Sequence, residues 1–277
     1  MESTAPGRFL GGHRAAIGWG AVAAAVLVAL VVLALRPRSA EAPSGEALQN
    51  ALGTAIPTVS LKVHVSKHLA VTSVAIGTTV HVAVVASGAS GTPTGGVGVD
   101  RYAGLTCSGT PTGGAKATLT QGAVDGIVST ATNAVGPISF RARYGGSATY
   151  AIRDTPCVAL AITKARPTIA TTVHGPTHAP VTSVPLGTTV HALVELGGPV
   201  GAPTGVAGVN VYANGSCSGA LLKSSGPLPL VNGKLDATSL AQVTTGSAYS
   251  FRATYLGNAT YEMATGPCRS LSVVLPG

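Results

Sequence analysis

One phrase occurs twice in this chain. Residues 71–84 read VTSVAIGTTVHVAV and residues 181–194 read VTSVPLGTTVHALV, an offset of 110 residues. This period is far longer than a helical-hairpin repeat and matches the length of one small all-β domain. The duplication therefore predicts two domains of the same kind. Each copy is long enough to bury its own core and to fold alone.

Composition favours strands over helices. Only 9% of the 277 residues are charged, against roughly 25% in ordinary soluble domains. Glycine (37 residues) and proline (18 residues) accompany many valines and threonines, which is typical of strands separated by turns. The first copy contains seven strand-like segments, the count expected of an immunoglobulin-like sandwich. These segments are Thr58–Val65, Thr78–Ala86, Gly96–Ala103, Ala115–Leu119, Gly126–Ala131, Ile138–Tyr144 and Val158–Thr163.

Period-two alternation predicts which side chains face the core. In the second predicted strand, Val80 and Val84 alternate with His81, so we expect the valines to point inward and the histidine outward. In the sixth, Phe140 and Tyr144 alternate with arginines, which take the solvent face. The second copy repeats both patterns.

The N-terminal part of the chain is unlike either copy. Residues 15–35 carry no charge, and at 1.5 Å per residue they span about 30 Å, the thickness of the hydrocarbon core of a bilayer. This stretch is longer than a secretory hydrophobic region. The best cleavage match, residues 40–42, is followed by Pro43. We therefore predict an uncleaved single-pass signal anchor, and secretion after signal cleavage remains the alternative.

Four cysteines occupy equivalent positions in the two copies. Cys107 and Cys157 lie 50 residues apart, and Cys217 and Cys268 lie 51 apart. Because no C-x-x-C motif and no Cys/His cluster at zinc spacing occurs, we predict one disulfide per domain. Disulfides require an oxidising compartment, so we expect both domains outside the cell and the N-terminus in the cytoplasm.

The predicted fold is all-β, with two tandem Ig-like β-sandwiches preceded by one transmembrane helix, and the predicted organisation has five segments. They are a cytoplasmic tail (1–14), the transmembrane helix or signal anchor (15–35), a flexible spacer (36–55), Ig-like domain 1 (56–164) and Ig-like domain 2 (165–277). The join between the two domains is very short, so we expect them to sit end to end.

Motifs in both copies resemble bacterial Ig-like domain repeats. The segments GTPTGGVGVDRYAG and APTGVAGVNVYANGSCSG resemble the family's PTG turn and following strand, and SFRARYGGSATY and SFRATYLGNATY resemble its late-strand motif of two tyrosines around a turn. The resemblance covers residues 56–275. It implies tandem modules on bacterial cell surfaces that serve as stalks, spacers or adhesive repeats, without catalytic residues. One departure is Arg101, equivalent to Val211, which stands where an inward apolar residue is expected.

Histidines are the remaining candidates for chemistry. Five of the chain's seven histidines are considered, namely His64, His81, His174, His178 and His191, and the H-x-x-x-H spacing of His174 and His178 resembles a metal pair. That spacing joins two ligands on a helix, whereas this stretch contains Gly175 and Pro176, and no carboxylate partner is evident. We therefore predict no metal site and no cofactor, and we expect the duplicated His81 and His191 to hydrogen-bond on a strand face.

The remaining constellations point away from catalysis and nucleic acid. No nucleophile motif and no paired carboxylates occur, so we predict no enzyme and no catalytic residues. The net charge of +8 is spread singly along the chain without interleaved aromatics, so we expect no nucleic-acid partner. We expect a membrane-anchored structural spacer or adhesion module that contacts a cell-surface protein or polysaccharide. A carbohydrate- or cell-wall-binding module is the alternative.

Overall fold

The structure, a computed structural model, describes residues 54–275, and this part of the chain is all-β. The predicted tail (1–14), the predicted transmembrane helix (15–35) and all of the spacer except its last two residues lie outside the described residues. Between residues 54 and 275, no helix is long and apolar enough to cross a membrane.

The first copy forms one Ig-like sandwich of two sheets. One sheet has the order β1-β3-β6 and the other β2-β9-β7-β4-β5, with β8 paired to β7. All seven predicted strands are present, and the added β2 and β8 have only three and two residues, too few for a periodic pattern. The strands are β1 (Thr58–His64), β2 (Ser73–Ala75), β3 (Thr79–Ser87), β4 (Gly95–Ala103), β5 (Gly113–Leu119), β6 (Ala123–Ala131), β7 (Gly136–Tyr144), β8 (Arg153–Asp154) and β9 (Val158–Thr163), with a 3₁₀ helix at Ser66–His68.

The second copy repeats this sandwich with shorter strands on one side. One sheet has the order β10-β12-β16, with β17 also on β12, and the other β11-β20-β18-β13-β14, with β15 on β13 and β19 on β18. The strands are β10 (Thr168–His174), β11 (Ser183–Pro185), β12 (Thr189–Gly197), β13 (Val206–Tyr212), β14 (Leu221–Ser224), β15 (Leu228–Pro229), β16 (Lys234–Asp236), β17 (Gln242–Val243), β18 (Ala248–Tyr255), β19 (Ala264–Thr265) and β20 (Arg269–Val274), with a 3₁₀ helix at Thr238–Leu240.

The core follows the predicted alternation. Val80 and Val84 on β3 and Phe140 and Tyr144 on β7 are fully buried between the sheets of the first sandwich. The intervening His81 lies on the other face of its sheet and is only partly buried. Strand periodicity therefore identified both faces of these two strands correctly, because the pleat sends successive side chains to opposite sides.

Arg101 is accommodated at the edge of the first core. Its Nη1 donates to Oγ1 of Thr130 at 2.9 Å and its Nη2 to the carbonyl of Thr112 at 3.2 Å. The equivalent Val211 in the second sandwich is fully buried. At this position the first sandwich therefore has hydrogen bonds from the guanidinium to β6 and to the loop before β5, where the second has apolar packing. These bonds satisfy the polar guanidinium.

Both predicted disulfides are present. Cys107–Cys157 and Cys217–Cys268 have Cα–Cα distances of 5.7 and 5.8 Å. Each joins the loop after the third long strand of its sandwich to the residue directly before the last strand. The N–H of Cys107 donates to the buried Oγ of Ser139, and the second sandwich repeats this contact, so a buried serine supports each bridge.

The join between the sandwiches is built into the second one. Ala165 is buried and forms a parallel bridge with Tyr261. Its N–H donates to the carbonyl of Thr260 and its carbonyl accepts from the N–H of Glu262, both at 2.9 Å. Ala55 pairs in the same way with Tyr150, so the first sandwich begins with a residue that the sequence assigned to the spacer. Only four residues separate β9 from β10.

Candidate functional site

Three imidazoles and one carboxylate meet on the outer face of the three-stranded sheet. His64, His68, His81 and Asp125, here called the first cluster, hold their ligand-type atoms within 4.8 Å of one another. Nδ1 of His68 lies 2.6 Å from Oδ2 of Asp125, and Nε2 of His81 lies 3.6 Å from Oδ1. The three rings stand nearly perpendicular to one another, at interplanar angles of 81, 81 and 83°.

Strand register and a tight turn assemble the three histidines. His64 on β1 pairs directly with His81 on β3, so their side chains are cross-strand neighbours. The chain then folds back after β1, and the N–H of Val65 donates to the carbonyl of Leu69 at 3.0 Å. Within this turn His68 has a φ of +56°, in the left-handed region that non-glycine residues seldom adopt. The turn thereby returns His68 to the two strand histidines.

A bulge supplies the carboxylate. The pairing of β3 with β6 shifts register between Val82 and Val84, and Asp125 lies in the bulged part of β6. The following Gly126 has a φ of +71°, and its N–H donates to Oδ1 of Asp125 at 2.8 Å. A β-bulge re-aims the side chain it carries. Here it directs the carboxylate to the histidines of the neighbouring elements.

The second sandwich repeats the arrangement. His174, His178 and His191 lie within the same 4.8 Å limit, and with Asp236 they form the second cluster. Nε2 of His191 is 3.4 Å from Oδ1 of Asp236, and Nδ1 of His178 is 3.7 Å from Oδ2. His174 pairs with His191, and His178 has a φ of +58°. The same ring atoms therefore face the carboxylate in both copies.

Two cluster groups, Asp125 and His191, have pKa values shifted from their ordinary values. Partial desolvation raises the pKa of Asp125, but the Gly126 N–H and the nearby His81 and His68 outweigh it, so that this pKa lies below its ordinary value. Burial lowers the pKa of His191, against the opposing attraction of Asp236. Both directions leave each group in the protonation state that binds a metal cation near neutral pH.

The histidine spacing in the sequence did not predict these clusters. A metal pair at this spacing was expected to need a helix, whereas here a strand end and a left-handed turn join His174 to His178. No carboxylate partner was expected, but Asp125 and Asp236 lie next to the histidines. The clearest signal passed over was His68, which sits 110 residues before His178. Nε2 of His81 and Nε2 of His191 have no hydrogen-bond partner among the described residues, and each instead faces an aspartate carboxylate, at 3.6 and 3.4 Å.

The two family-like motifs contact each other in both copies. The hydroxyl of Tyr144 donates to the carbonyl of Thr94 in the PTG turn at 2.6 Å, and that of Tyr150 donates to the carbonyl of Gly91 at 2.6 Å. Tyr255 and Tyr261 make the corresponding bonds, to the carbonyls of Thr204 and Gly201. These tyrosines hold the loops of residues 88–94 and 198–204 in place, so both motifs serve the fold.

The loop of residues 198–204 also meets the first sandwich. A Cβ added to Gly77, in the turn before β3, would lie 2.7 Å from Cγ1 of Val200 and 3.4 Å from Cβ of Pro199. The loops of residues 88–94 and 198–204, which differ in sequence between the copies, therefore also differ in role. In the second copy, this loop packs against its neighbouring sandwich.

Two N-x-S/T sequons, beginning at Asn214 and Asn258, lie in loops of the second sandwich. Asn214 accepts the N–H of Ser216 and donates to the carbonyl of Ser218. Asn258 accepts from the N–H groups of Thr260 and Tyr261. Both side-chain amides thus shape their local loops through hydrogen bonds.

A groove on the first sandwich is a weaker candidate. It crosses the outer face of β4 and β5, where Gly98 and Gly114 leave room beside Lys116 and Arg143. The corresponding groove of the second sandwich is much smaller and has different side chains. Because the histidine clusters keep the same side chains in both copies and the grooves do not, we take the clusters as the candidate site.

Comparison with known proteins does not assign the chain to a family. No family model matches it, and no curated protein matches it. Solved structures similar to the chain are distant. Red sea bream transglutaminase is 11% identical with a TM-score of 0.32, over 84% of this chain and 34% of that one. Elastase-activated Escherichia coli alpha-2-macroglobulin is 11% identical with a TM-score of 0.28, over 80% and 24%. A chimeric titin Z1Z2 is 17% identical with a TM-score of 0.23, over 81% and 98%. Such scores carry no argument about function.

Proposed function

We propose that the chain is a membrane-anchored bacterial surface protein whose two Ig-like sandwiches form a stiff spacer, holding an adhesive or protein-binding end away from the cell. The observation that carries this proposal is the join. Ala165 is buried and hydrogen-bonded to the second sandwich directly after β9 ends the first. A linker of four residues, one of which is buried in the second sandwich, restricts how the two domains can move relative to each other.

The contact between Gly77 and the loop of Pro199 and Val200 supports the same proposal. Any bending at the join must separate these residues or press them together. Nine-residue strands such as β3 and β7 span about 30 Å each at 3.3 Å per residue, so two stacked sandwiches reach about twice that distance.

Placement outside the cell rests on chemistry and on the N-terminal sequence. All four cysteines are in disulfides, which persist in oxidising compartments. Residues 15–35 supply an apolar stretch of the right length for a membrane anchor. The orientation with the N-terminus inside follows from combining these two features.

The alternative of a glycan-binding platform finds no support among the described residues. Between residues 54 and 275, every tyrosine and phenylalanine is buried. Carbohydrate platforms expose aromatic faces, so we retain the spacer as the proposal.

Stiffness is tested by distance measurement between the far ends of the two sandwiches. Spin labels at Ala89→Cys and Ser247→Cys, both exposed, should give a narrow distance distribution by pulsed electron paramagnetic resonance. Four flexible residues inserted after Lys164 provide the control and should broaden it. Equally broad distributions in both proteins would refute the spacer.

Orientation is tested in intact cells. A protease site placed after Leu275 should be cut from outside, while a site before residue 15 should be cut only after lysis. Cleavage of the C-terminal site only in lysed cells, or free thiols at Cys107 and Cys157, would contradict the proposed topology.

A further inference from the structure

We infer that the first and second clusters are each a binding site for one divalent transition-metal ion, and that Zn²⁺ is the ion their ligands suit best. The inference is independent of the spacer proposal, since it concerns the outer faces of the β1 and β10 sheets. It rests on four observations of the described residues.

The first observation is convergence. Tetrahedral zinc with ligand distances of about 2.0–2.1 Å separates its ligand atoms by about 3.4 Å. The ligand-type atoms of the first cluster already lie within 4.8 Å of one another, and those of the three histidines in the second cluster do so as well. Nε2 of His191 and Oδ1 of Asp236 are 3.4 Å apart. Small side-chain rotations would therefore complete both sites.

The second observation is unsatisfied nitrogen. Nδ1 of His64, Nε2 of His81 and Nε2 of His191 are buried without a hydrogen-bond partner, and they make up three of the five such side-chain atoms among the described residues. Native proteins satisfy nearly all buried polar atoms, so each exception needs an explanation. A metal ion bound by these lone pairs supplies one explanation for all three.

The third observation is the histidine distribution. The chain has seven histidines, and all six between residues 54 and 275 belong to the two clusters. Packing of a strand face alone does not require imidazole at three positions per copy. Nor does it require histidine at positions 68 and 178, where His68 and His178 have φ of +56° and +58°, a region that glycine or asparagine adopts more readily.

The fourth observation is a positioned ring in the second cluster. Oγ1 of Thr172 lies 3.0 Å from Nε2 of His174, which leaves Nδ1 of that ring for a metal. The corresponding Nδ1 in His64 is the buried atom without a partner. Hydrogen bonds to the distal nitrogen orient metal-ligating histidines in known sites.

The donor set selects the ion. Imidazole with one carboxylate suits zinc and related divalent metals, whereas Ca²⁺ and Mg²⁺ take oxygen ligands. Every cysteine is in a disulfide, so thiolate-seeking Cu⁺ is not favoured.

Four protein ligands close the coordination sphere, which is the mark of a structural site. The ion would link β1, the turn after it, β3 and β6 in the first sandwich, and their equivalents in the second. Metal bound only by the folded state raises its stability by mass action.

Binding is tested on the full-length chain, with any affinity tag removed and metal stripped by chelator. Equilibrium dialysis against Zn²⁺ with elemental analysis should give two ions per wild-type chain, unaffected by excess Mg²⁺ or Ca²⁺. His81→Gln and His191→Gln should each leave one ion, and the double variant none. Asp125→Asn should likewise leave one ion, and its matched control, Asp100→Asn at an exposed strand carboxylate outside the cluster, should keep both ions.

Two further readouts keep the test independent of folding. Thr172→Val should weaken the second site about tenfold and leave the first unchanged in the same molecule. In the wild-type protein, Zn²⁺ should shift the imidazole resonances of the six cluster histidines, and Co²⁺ should give tetrahedral visible absorption. Absence of saturable Zn²⁺ binding by the wild type, or equal binding by the folded double variant, would overturn the inference.

Discussion

The imidazole of His191 illustrates how one residue couples the second sandwich to pH. Burial lowers its pKa below the ordinary value of about 6.5, in spite of Asp236 and with further lowering from His178 and His174. Because the unfolded state then binds the proton more tightly than the folded state, acidification below pH 6.5 favours unfolding.

We therefore expect metal-free protein to lose stability in the second sandwich as the pH falls from 7.5 to 5.5. His191→Gln, which cannot titrate, should flatten this dependence. Denaturant unfolding at both pH values, with chelator present, measures the effect. A wild-type protein as stable at pH 5.5 as at 7.5 would contradict the prediction.

Residue-level prediction worked where the physics was local and periodic. The inward valines of β3 and the outward arginines of β7 follow from the pleat alone, and the structure confirms them. The clusters could not be found that way. His64 meets His81 only through the pairing register, His68 arrives through a left-handed turn, and Asp125 through a bulge. Neither the turn conformation nor the bulge leaves a periodic trace in the sequence.

At the scale of elements, tyrosine hydroxyls hold the loops that follow β3 and β12. Tyr150→Phe removes the bond to the Gly91 carbonyl and the acceptor of the Ser90 N–H, and should cost about 1 kcal/mol of unfolding free energy. Tyr261→Phe should cost a similar amount, since the ring stays packed. Denaturant midpoints measure both, and a cost near zero for either would mean that solvent replaces the lost bonds.

Each disulfide closes a long loop that ends directly before the last strand of its sandwich. Replacing Cys107 and Cys157 together by serine opens a loop of about 50 residues, and should destabilise the first sandwich by about 4 kcal/mol on the chain-entropy model. The Cys217/Cys268 double variant should do the same to the second sandwich only. Domain-resolved amide exchange distinguishes the two, and loss of protection in the wrong sandwich would contradict the assignment.

The duplication and the short join predicted a tandem arrangement for the molecule as a whole. The duplication could not predict how the two sandwiches contact each other. That contact joins the turn glycine of the first copy to the loop of residues 198–204 in the second, and the equivalent glycine and loop do not make it. Gly77 and Gly187 are equivalent, with φ of +88° and +85°, yet only Gly77 has the other sandwich against it.

This pair gives a matched test of the contact. Gly77→Ala and Gly187→Ala share the cost of a left-handed alanine, about 1–2 kcal/mol. An added methyl at Gly77 would also lie 2.7 Å from Cγ1 of Val200, while at Gly187 it meets nothing within 4 Å. We therefore expect Gly77→Ala to broaden the distance distribution between labels at residues 89 and 247, and Gly187→Ala to leave it narrow. Equal broadening in both variants would assign the effect to backbone strain, and the contact at Val200 would then have no part in holding the sandwiches in line.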